Sequence, residues 1–284
     1  MSIGYACLNI GTPHTNIRSL MQKNATAEKL TEVTAHNLET LERIVDYNIA
    51  NDIHLYRISS DLIPFGSSPV NTLIWPEIHK EAFERIGSKI RKSGMRVSLH
   101  PGQYTMMNSP TEDVVARAIE DLNYHDKILT ALGADQTNKI VLHVGGSNGD
   151  KAAAMDRFAA NFQRLPEIVQ NRLIIENDER LYNIEDVLNL ANRLQIPAIY
   201  DNLHHAINPP PSGGHDQYWI AEAKKTWKEE DGKQKIHYSQ QAIGKRPGAH
   251  TKTINLETFL QFYNKLADPT IDIMLEVKEK NLSA

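Results

Sequence analysis

The 284-residue chain has one cysteine, Cys7, so an internal disulfide is excluded, and that scarcity fits a reducing cytoplasm. No run approaches the ~18 apolar residues that a membrane span needs. The opening Met1-Ser2-Ile3-Gly4-Tyr5 lacks a basic segment followed by an apolar one, so a cleaved secretion signal is not expected. A surplus of positive charge is missing too: 31 basic against 35 acidic side chains leave a net charge of −4. The field of the whole protein therefore does not draw in nucleic acid, and any such partner must be held by local patches or by metal. No repeat, low-complexity tract or Ser/Gly linker marks a boundary, which points to a single domain over residues 1–284. What is abundant is histidine, with 12 residues beside the lone cysteine.

Short β-rich runs alternate with amphipathic stretches. The runs are 3–9, 54–58, 96–100, 139–143, 173–176, 198–201, 235–238 and 272–276, the seventh being the shortest signal. Between the first two, Leu30, Val33, Leu38, Leu41, Ile44 and Val45 recur at helical spacing behind Thr26, which is placed as a cap. Strands alternating with helices call for a parallel sheet, and about eight units in ~280 residues predict a TIM-type (β/α)₈ barrel. An open doubly wound sheet would carry a glycine-rich phosphate loop after its first strand, and Gly11-Thr12-Pro13 is not one. The short stretch after Glu276 predicts that the last helix is short or missing.

The ends of these runs are polar: Asn9, Ser59 just past the second run, His100, His143, Glu176, Asp201, His237 and Glu276. Apolar residues lead up to most of them, as in Ile-Val-Leu-His143 and Leu-Ile-Ile-Glu176. In a parallel barrel all these ends open on one rim, the active face. A single buried histidine is commonly structural, but this many imidazoles and carboxylates in one basin need a compensating cation, because burying unpaired charge costs several kcal/mol. Asp201-Asn202-Leu203-His204 adds an imidazole three residues past a carboxylate, with His205 as an equal competitor. In Lys235-Ile236-His237 the lysine and histidine alternate to the same side. A lysine aimed into a cationic basin would be neutral, and a neutral amine can carry a carboxyl group that bridges metals. His250 follows in the basic turn Lys245-Arg246-Pro247-Gly248-Ala249, whereas His14, His36, His54, His79, His125 and His215 read as structural or surface residues. Imidazole and carboxylate without thiolate suit Mn²⁺, Zn²⁺ or Fe²⁺ rather than an iron–sulfur cluster.

Residues 224–252 hold eight Lys/Arg against three Asp/Glu, together with Trp227 and Tyr238. Basic side chains interleaved with aromatics can grip phosphates and stack bases. The loop His100-Pro101-Gly102-Gln103-Tyr104 carries an amide and a planar ring beside an expected ligand, a combination suited to insertion into a distorted duplex.

Taken together, Gly4-Tyr5-Ala6-Cys7-Leu8-Asn9, Tyr56-Arg57-Ile58-Ser59-Ser60-Asp61, Ser98-Leu99-His100-Pro101-Gly102-Gln103-Tyr104, Leu142-His143-Val144-Gly145-Gly146, Glu176-Asn177-Asp178, Asp201-Asn202-Leu203-His204-His205 and Leu275-Glu276-Val277-Lys278 resemble the motifs of the UV damage endonuclease family, over essentially the whole chain. The resemblance implies a TIM-like barrel related to endonuclease IV and a cluster of up to three divalent metals, commonly Mn²⁺, with Zn²⁺ as the other candidate. Its implied ligands are His100, His143, Glu176, Asp201, His204, His237, His250 and Glu276, with Lys235 matching a lysine that can be carboxylated. Lys235, His237 and Glu176 are the expected catalytic groups. Gln103 and Tyr104 would probe the DNA opposite the lesion, with Tyr5 and Asn9 near the damaged nucleotides. The implied reaction is incision immediately 5′ to cyclobutane dimers, 6-4 photoproducts and abasic sites in double-stranded DNA, by a cytoplasmic monomer with no membrane or obligate protein partner. Ser68 stands where the family often has a histidine after Pro-Phe-Gly-Ser, so any role of that imidazole is not carried over. A metal-dependent sugar isomerase or epimerase on the same barrel is the competing reading; Glu176, Asp201, His237 and Glu276 would serve it, but it leaves the additional imidazoles and the Gln-Tyr loop without a task. A non-catalytic damage-binding protein would leave the ligand basin without purpose.

Overall fold

The structure, a computed structural model, describes residues 1–284. Eight strands form one parallel sheet: β1 Ile3–Ala6, β2 Leu55–Arg57, β3 Arg96–Leu99, β4 Lys139–His143, β5 Leu173–Glu176, β6 Ala198–Ile199, β7 Lys235–Tyr238 and β8 Asp272–Leu275. Helix α1 is Ala27–Ala50, α2 Trp75–Ile78, α3 Lys80–Ser93, α4 Glu112–Ala131 and α5 Lys151–Phe162. Then come α6 Glu167–Arg172, α7 Ile184–Leu194, α8 Asn202–Ile207, α9 Asp216–Lys224 and α10 Leu256–Tyr263. After β8 there is only a 3₁₀ turn at Lys280–Leu282, in line with the expected short last unit.

The strands run β6-β5-β4-β3-β2-β1-β8-β7, and the sheet closes where β7 meets the end of β6. Closure there is slender. The His237 N–H donates to the Tyr200 carbonyl at 3.0 Å, and Asp201 forms an isolated parallel bridge with His237. Asn202 reinforces the seam by donating to the Ser239 carbonyl at 3.0 Å while its Oδ1 accepts the Ser239 N–H at 2.8 Å. The barrel closes, therefore, through the residues that also build the rim.

Alternation along each strand separates two hydrophobic layers. Outward residues pack against the helices in one large core that includes Tyr56, Val97, Leu142, Ile175 and Ile236. Two small clusters line the interior: Val141, Ile174, Ile199 and Trp227 on one side, and Ala6, Leu55 and Met274 on the other. Gly4 belongs here because a Cβ at that position would lie 1.9 Å from the Leu55 carbonyl oxygen. Below this layer the barrel floor is ionic. Lys139 pairs with Asp231, and Arg96 pairs with Asp272 at 2.7 Å. Thr26 caps α1 as the sequence indicates, its hydroxyl accepting the Lys29 N–H at 3.2 Å. The helical stretch that follows β2 is broken at His79 into α2 and α3.

Candidate metal centre

At the opposite end of the barrel, strand ends from β2, β3, β4, β5, β7 and β8 converge. Glu176 closes β5 and is 1% exposed; it is the hub. Its Oε2 lies 3.1 Å from His100 Nε2 and 4.0 Å from His143 Nε2. Its Oε1 lies 2.7 Å from His237 Nδ1 and 3.8 Å from His204 Nδ1. Three sets of donors are close enough to hold an ion: His100, His143 and Glu176; Glu176, Asp201 and His204; Glu176, His237 and Glu276.

The hydrogen bonds around the imidazoles decide which nitrogens are free. A carbonyl only accepts, so the His100 Nδ1–H donates to the Pro101 carbonyl at 3.0 Å, which turns Nε2 toward Glu176. His204 donates Nδ1–H to the Asn177 carbonyl at 2.8 Å, so its available donor atom is Nε2, on the side of Glu179 at 3.8 Å, and not the Nδ1 nearer Glu176. His143 Nδ1 and Asp201 Oδ2 are buried with no partner. The 3.1 Å between His100 Nε2 and Glu176 Oε2 matches two ligands of one divalent ion, which at ~2.1 Å from the ion are ~3.0–3.4 Å apart. The donor set thus fits a divalent cluster.

Electrostatics agree. Burial would raise the Glu176 carboxyl, but His237, His100 and His143 hold it well below the ordinary carboxylate range. Burial pushes Asp201 up to about 7 against the pull of His204. His204 is pressed down by burial yet raised by Asp201 and Glu176 to about 9. Burial takes His237 down to about 4. His143 and His250 are lowered, in both cases chiefly by burial.

Lys235 sits one layer below His237, 2% exposed. Its register partner on β8 is Asp272, but that carboxylate is taken by Arg96 at 2.7 Å and by the Ser2 N–H at 2.8 Å. Burial, helped by Arg96 and Arg57, holds the amine well below the usual lysine range.

Other expected residues fall into place unevenly. His204, not His205, faces the basin; His205 turns outward against Tyr200 and Trp219. His250 stands at the edge, Nδ1 4.0 Å from Glu276 Oε2. Gln103 is exposed and Tyr104 is 67% exposed on the rim. Tyr5 and Asn9, expected near the damaged nucleotides, lie in the wall of the barrel. Tyr5 is fully buried, donating to Asn48 Oδ1 at 2.7 Å and accepting from Asn9 Nδ2 at 3.0 Å, while Asn9 Oδ1 is buried with no partner.

Two groups in the basin escaped sequence reasoning. Arg57 ends β2, buried, with Nη2 2.5 Å from Glu276 Oε1 and 2.9 Å from His237 Nε2. Burial opposes the Glu276 charge, but Arg57 and His237 hold that carboxyl well below its ordinary range. An arginine at the end of a short buried strand was the available signal. Glu179 is the other, beside His204, and nothing in its exposed-looking stretch Asp178-Glu179-Arg180 announces it.

The model of the UV-endonuclease UvdE family matches residues 2–284. The chain belongs to that family. A UV DNA damage endonuclease of Clostridium perfringens (strain 13 / Type A) is 43% identical over 289 residues, an alignment covering 100% of this chain and 69% of the relative. The crystal structure of SacUVDE superposes with a TM-score of 0.94 at 36% identity, covering 100% of this chain and 95% of that one. Endonuclease IV from Thermus thermophilus shares the barrel alone, with a TM-score of 0.60 at 12% identity over 97% of this chain and 92% of that one. Membership makes this UvdE-family chain an endonuclease of UV-damage repair, on a TIM barrel with buried His, Glu and Asp clusters able to bind metal.

Proposed function

We propose that this enzyme hydrolyses the phosphodiester immediately 5′ to a UV photoproduct in double-stranded DNA, leaving a 3′-hydroxyl, with a cluster of up to three divalent ions, Mn²⁺ before Zn²⁺. The observation that carries the reading is the shared carboxylate of Glu176 between three donor sets. Such ions, when bound, supply Lewis acidity and neutralise charge that develops on the phosphoryl oxygens and the leaving group. His100, His143, Asp201, His237 and Glu276 at the strand ends, with His204 on α8 and His250 in the loop after β7, would hold the cluster, and Arg57 orients Glu276. Lys235, buried beneath His237 with its amine held well below the usual lysine range, would add a further carboxylate to the site when carboxylated. Gln103 and Tyr104 fill the space vacated when a damaged step unstacks, which costs less than unstacking a sound one. The whole of 1–284 acts as one domain and as a monomer, in the cytoplasm where bacterial DNA lies. No helix is long and apolar enough to cross a membrane.

A sugar epimerase on this barrel would need two glutamates, an aspartate and a histidine; the basin holds more imidazoles than that task uses. The deciding experiment is incision of a labelled duplex with one cyclobutane pyrimidine dimer, in Mn²⁺ and in EDTA, beside undamaged duplex. A Mn²⁺-dependent cut just 5′ to the dimer supports the reading, and no cut by metal-loaded enzyme refutes it.

A further inference from the structure

The loop after β7 is built around an unusual side chain. Ile243 is 99% exposed, more than any other large hydrophobic residue in the chain, the next on the active rim being Tyr104 at 67%. Scattered apolar residues on a surface need no explanation, but this one is presented. The Ala242 N–H donates to the Ala249 carbonyl at 2.7 Å, and Gln241 bridges to His250 in an antiparallel pair. Gln241 also stitches the loop from inside: its amide donates to the Arg246 carbonyl at 3.0 Å and its Oε1 accepts the Gly248 N–H at 2.9 Å. At the tip, Lys245 N–H returns to the Ala242 carbonyl at 3.2 Å, with Gly244 at φ 68° supplying the left-handed residue that the turn requires. The result is a short, braced finger with one branched apolar side chain at its end.

Its position and charge say what it meets. The finger's base is His250, beside Glu276 in the metal centre, so it rises from the active rim. Lys245 and Arg246, next to the tip, have no carboxylate within ion-pairing distance, unlike Lys252 beyond the base of the finger, which pairs with Glu279. Unpaired cations flanking an exposed aliphatic tip match a polyanion with an apolar interior, which is the surface of a duplex whose base step has opened. Proteins that bend DNA insert such aliphatic wedges between base pairs and hold the flanking phosphates with basic side chains.

We infer that Ile243 is an apolar wedge that enters the DNA at the lesion, on the far side of the site from the Gln103-Tyr104 loop, while Lys245 and Arg246 grip the adjoining phosphates. The inference rests on the DNA-incising reading above and deepens it: two wedges from two loops, those after β3 and β7, would open the damaged step from both flanks.

The test uses full-length enzyme and a duplex with one cyclobutane pyrimidine dimer and 2-aminopurine beside it, whose fluorescence rises on unstacking. The wild type must raise fluorescence and incise. Ile243→Ser is expected to lose most of that rise and roughly tenfold in kcat/KM on damaged duplex, with wild-type metal content and an unchanged salt dependence of binding. Lys245→Gln with Arg246→Gln is expected instead to weaken damaged and undamaged duplex alike and to reduce the salt slope by about two. An Ile243→Ser enzyme with wild-type fluorescence and kinetics overturns the wedge and leaves the endonuclease reading standing. A wild type that neither unstacks nor cuts overturns both. Ile243→Ser that dissociates a dimer in sedimentation, with DNA unstacking untouched, also overturns it and makes the finger a contact between copies of this chain.

Discussion

His100 Nε2 and Glu176 Oε2 lie 3.1 Å apart, because donation of the His100 Nδ1–H to the Pro101 carbonyl turns the other ring nitrogen toward the carboxylate. That is the spacing of two ligands on one divalent ion. Glu176→Gln keeps the shape but removes the charge that all three donor sets share. It is expected to lower divalent metal affinity by at least ~100-fold, more than loss of an outer partner costs, and to abolish incision. Metal content by elemental analysis of the purified variant checks this directly; full metal occupancy would contradict the hub role.

The same chemistry fixes a pH dependence. In the metal-free enzyme Asp201 gives up its proton only at about 7 and His204 only at about 9. Both pKa values lie above those of the unfolded chain, so both groups favour the metal-free fold at low pH and that contribution is lost as pH rises through 7 and 9. A divalent ion needs the deprotonated forms and gains what the protons lose. The rise in Tm on adding Mn²⁺ should therefore be larger at pH 8.5 than at pH 6. Equal Tm shifts at the two pH values, in matched ionic strength, would remove these groups from the metal site.

The barrel and most of the basin were legible because both rest on local rules. Apolar alternation ending in a polar residue marks a strand C-terminus, and topology carries those ends to one rim, which is why His100, His143, Glu176, Asp201, His237 and Glu276 meet. The choice between His204 and His205 was not legible. It depends on how the one-turn start of α8 rotates, which is set by Asp201 Oδ1 accepting the His204 N–H at 2.8 Å and by the fit of His205 against Tyr200. The seating of Tyr5 was not legible either, because a strand of four residues gives little evidence of which face its tyrosine takes, and it is held by Asn48 on α1, 43 positions away. Arg57 was missed because its partners His237 and Glu276 lie 180 and 219 positions along the chain.

Lys235 offers a third prediction. With its amine held well below the usual lysine range, the folded chain binds that proton less readily than the unfolded chain, so the buried lysine opposes folding at neutral pH and the penalty fades as pH climbs toward ~10.4. Lys235→Met should raise the stability of metal-free protein at pH 7 while impairing incision. On the proposal that Lys235 is carboxylated, the wild type, unlike the variant, should show activity that depends on added bicarbonate. A bicarbonate-independent wild type would leave Lys235 as an uncarboxylated neutral amine.

The rim loop that carries Gln103 and Tyr104 is held at both ends by α4. Thr105 donates to Asp121 Oδ2 at 2.6 Å, and Ser60 donates to the His100 carbonyl at 2.9 Å while lying 2.9 Å from His125 Nε2. His125 in turn meets the Asp121 carbonyl through Nδ1 at 2.6 Å, so one buried network clamps the start and the finish of the loop. Replacing Gln103 and Tyr104 by alanine removes exposed side chains and should weaken binding of damaged duplex without touching metal content or Tm. Thr105→Val is different in kind: it strands a buried carboxylate oxygen, costs about 1–3 kcal/mol, and frees the loop without removing either probing residue. It should raise amide hydrogen exchange across 101–105 and raise KM for damaged duplex more than it lowers kcat. If exchange rises but KM stays at the wild-type value, the loop does not need to be held in place to read DNA, and the probing role assigned to Gln103 and Tyr104 fails with it.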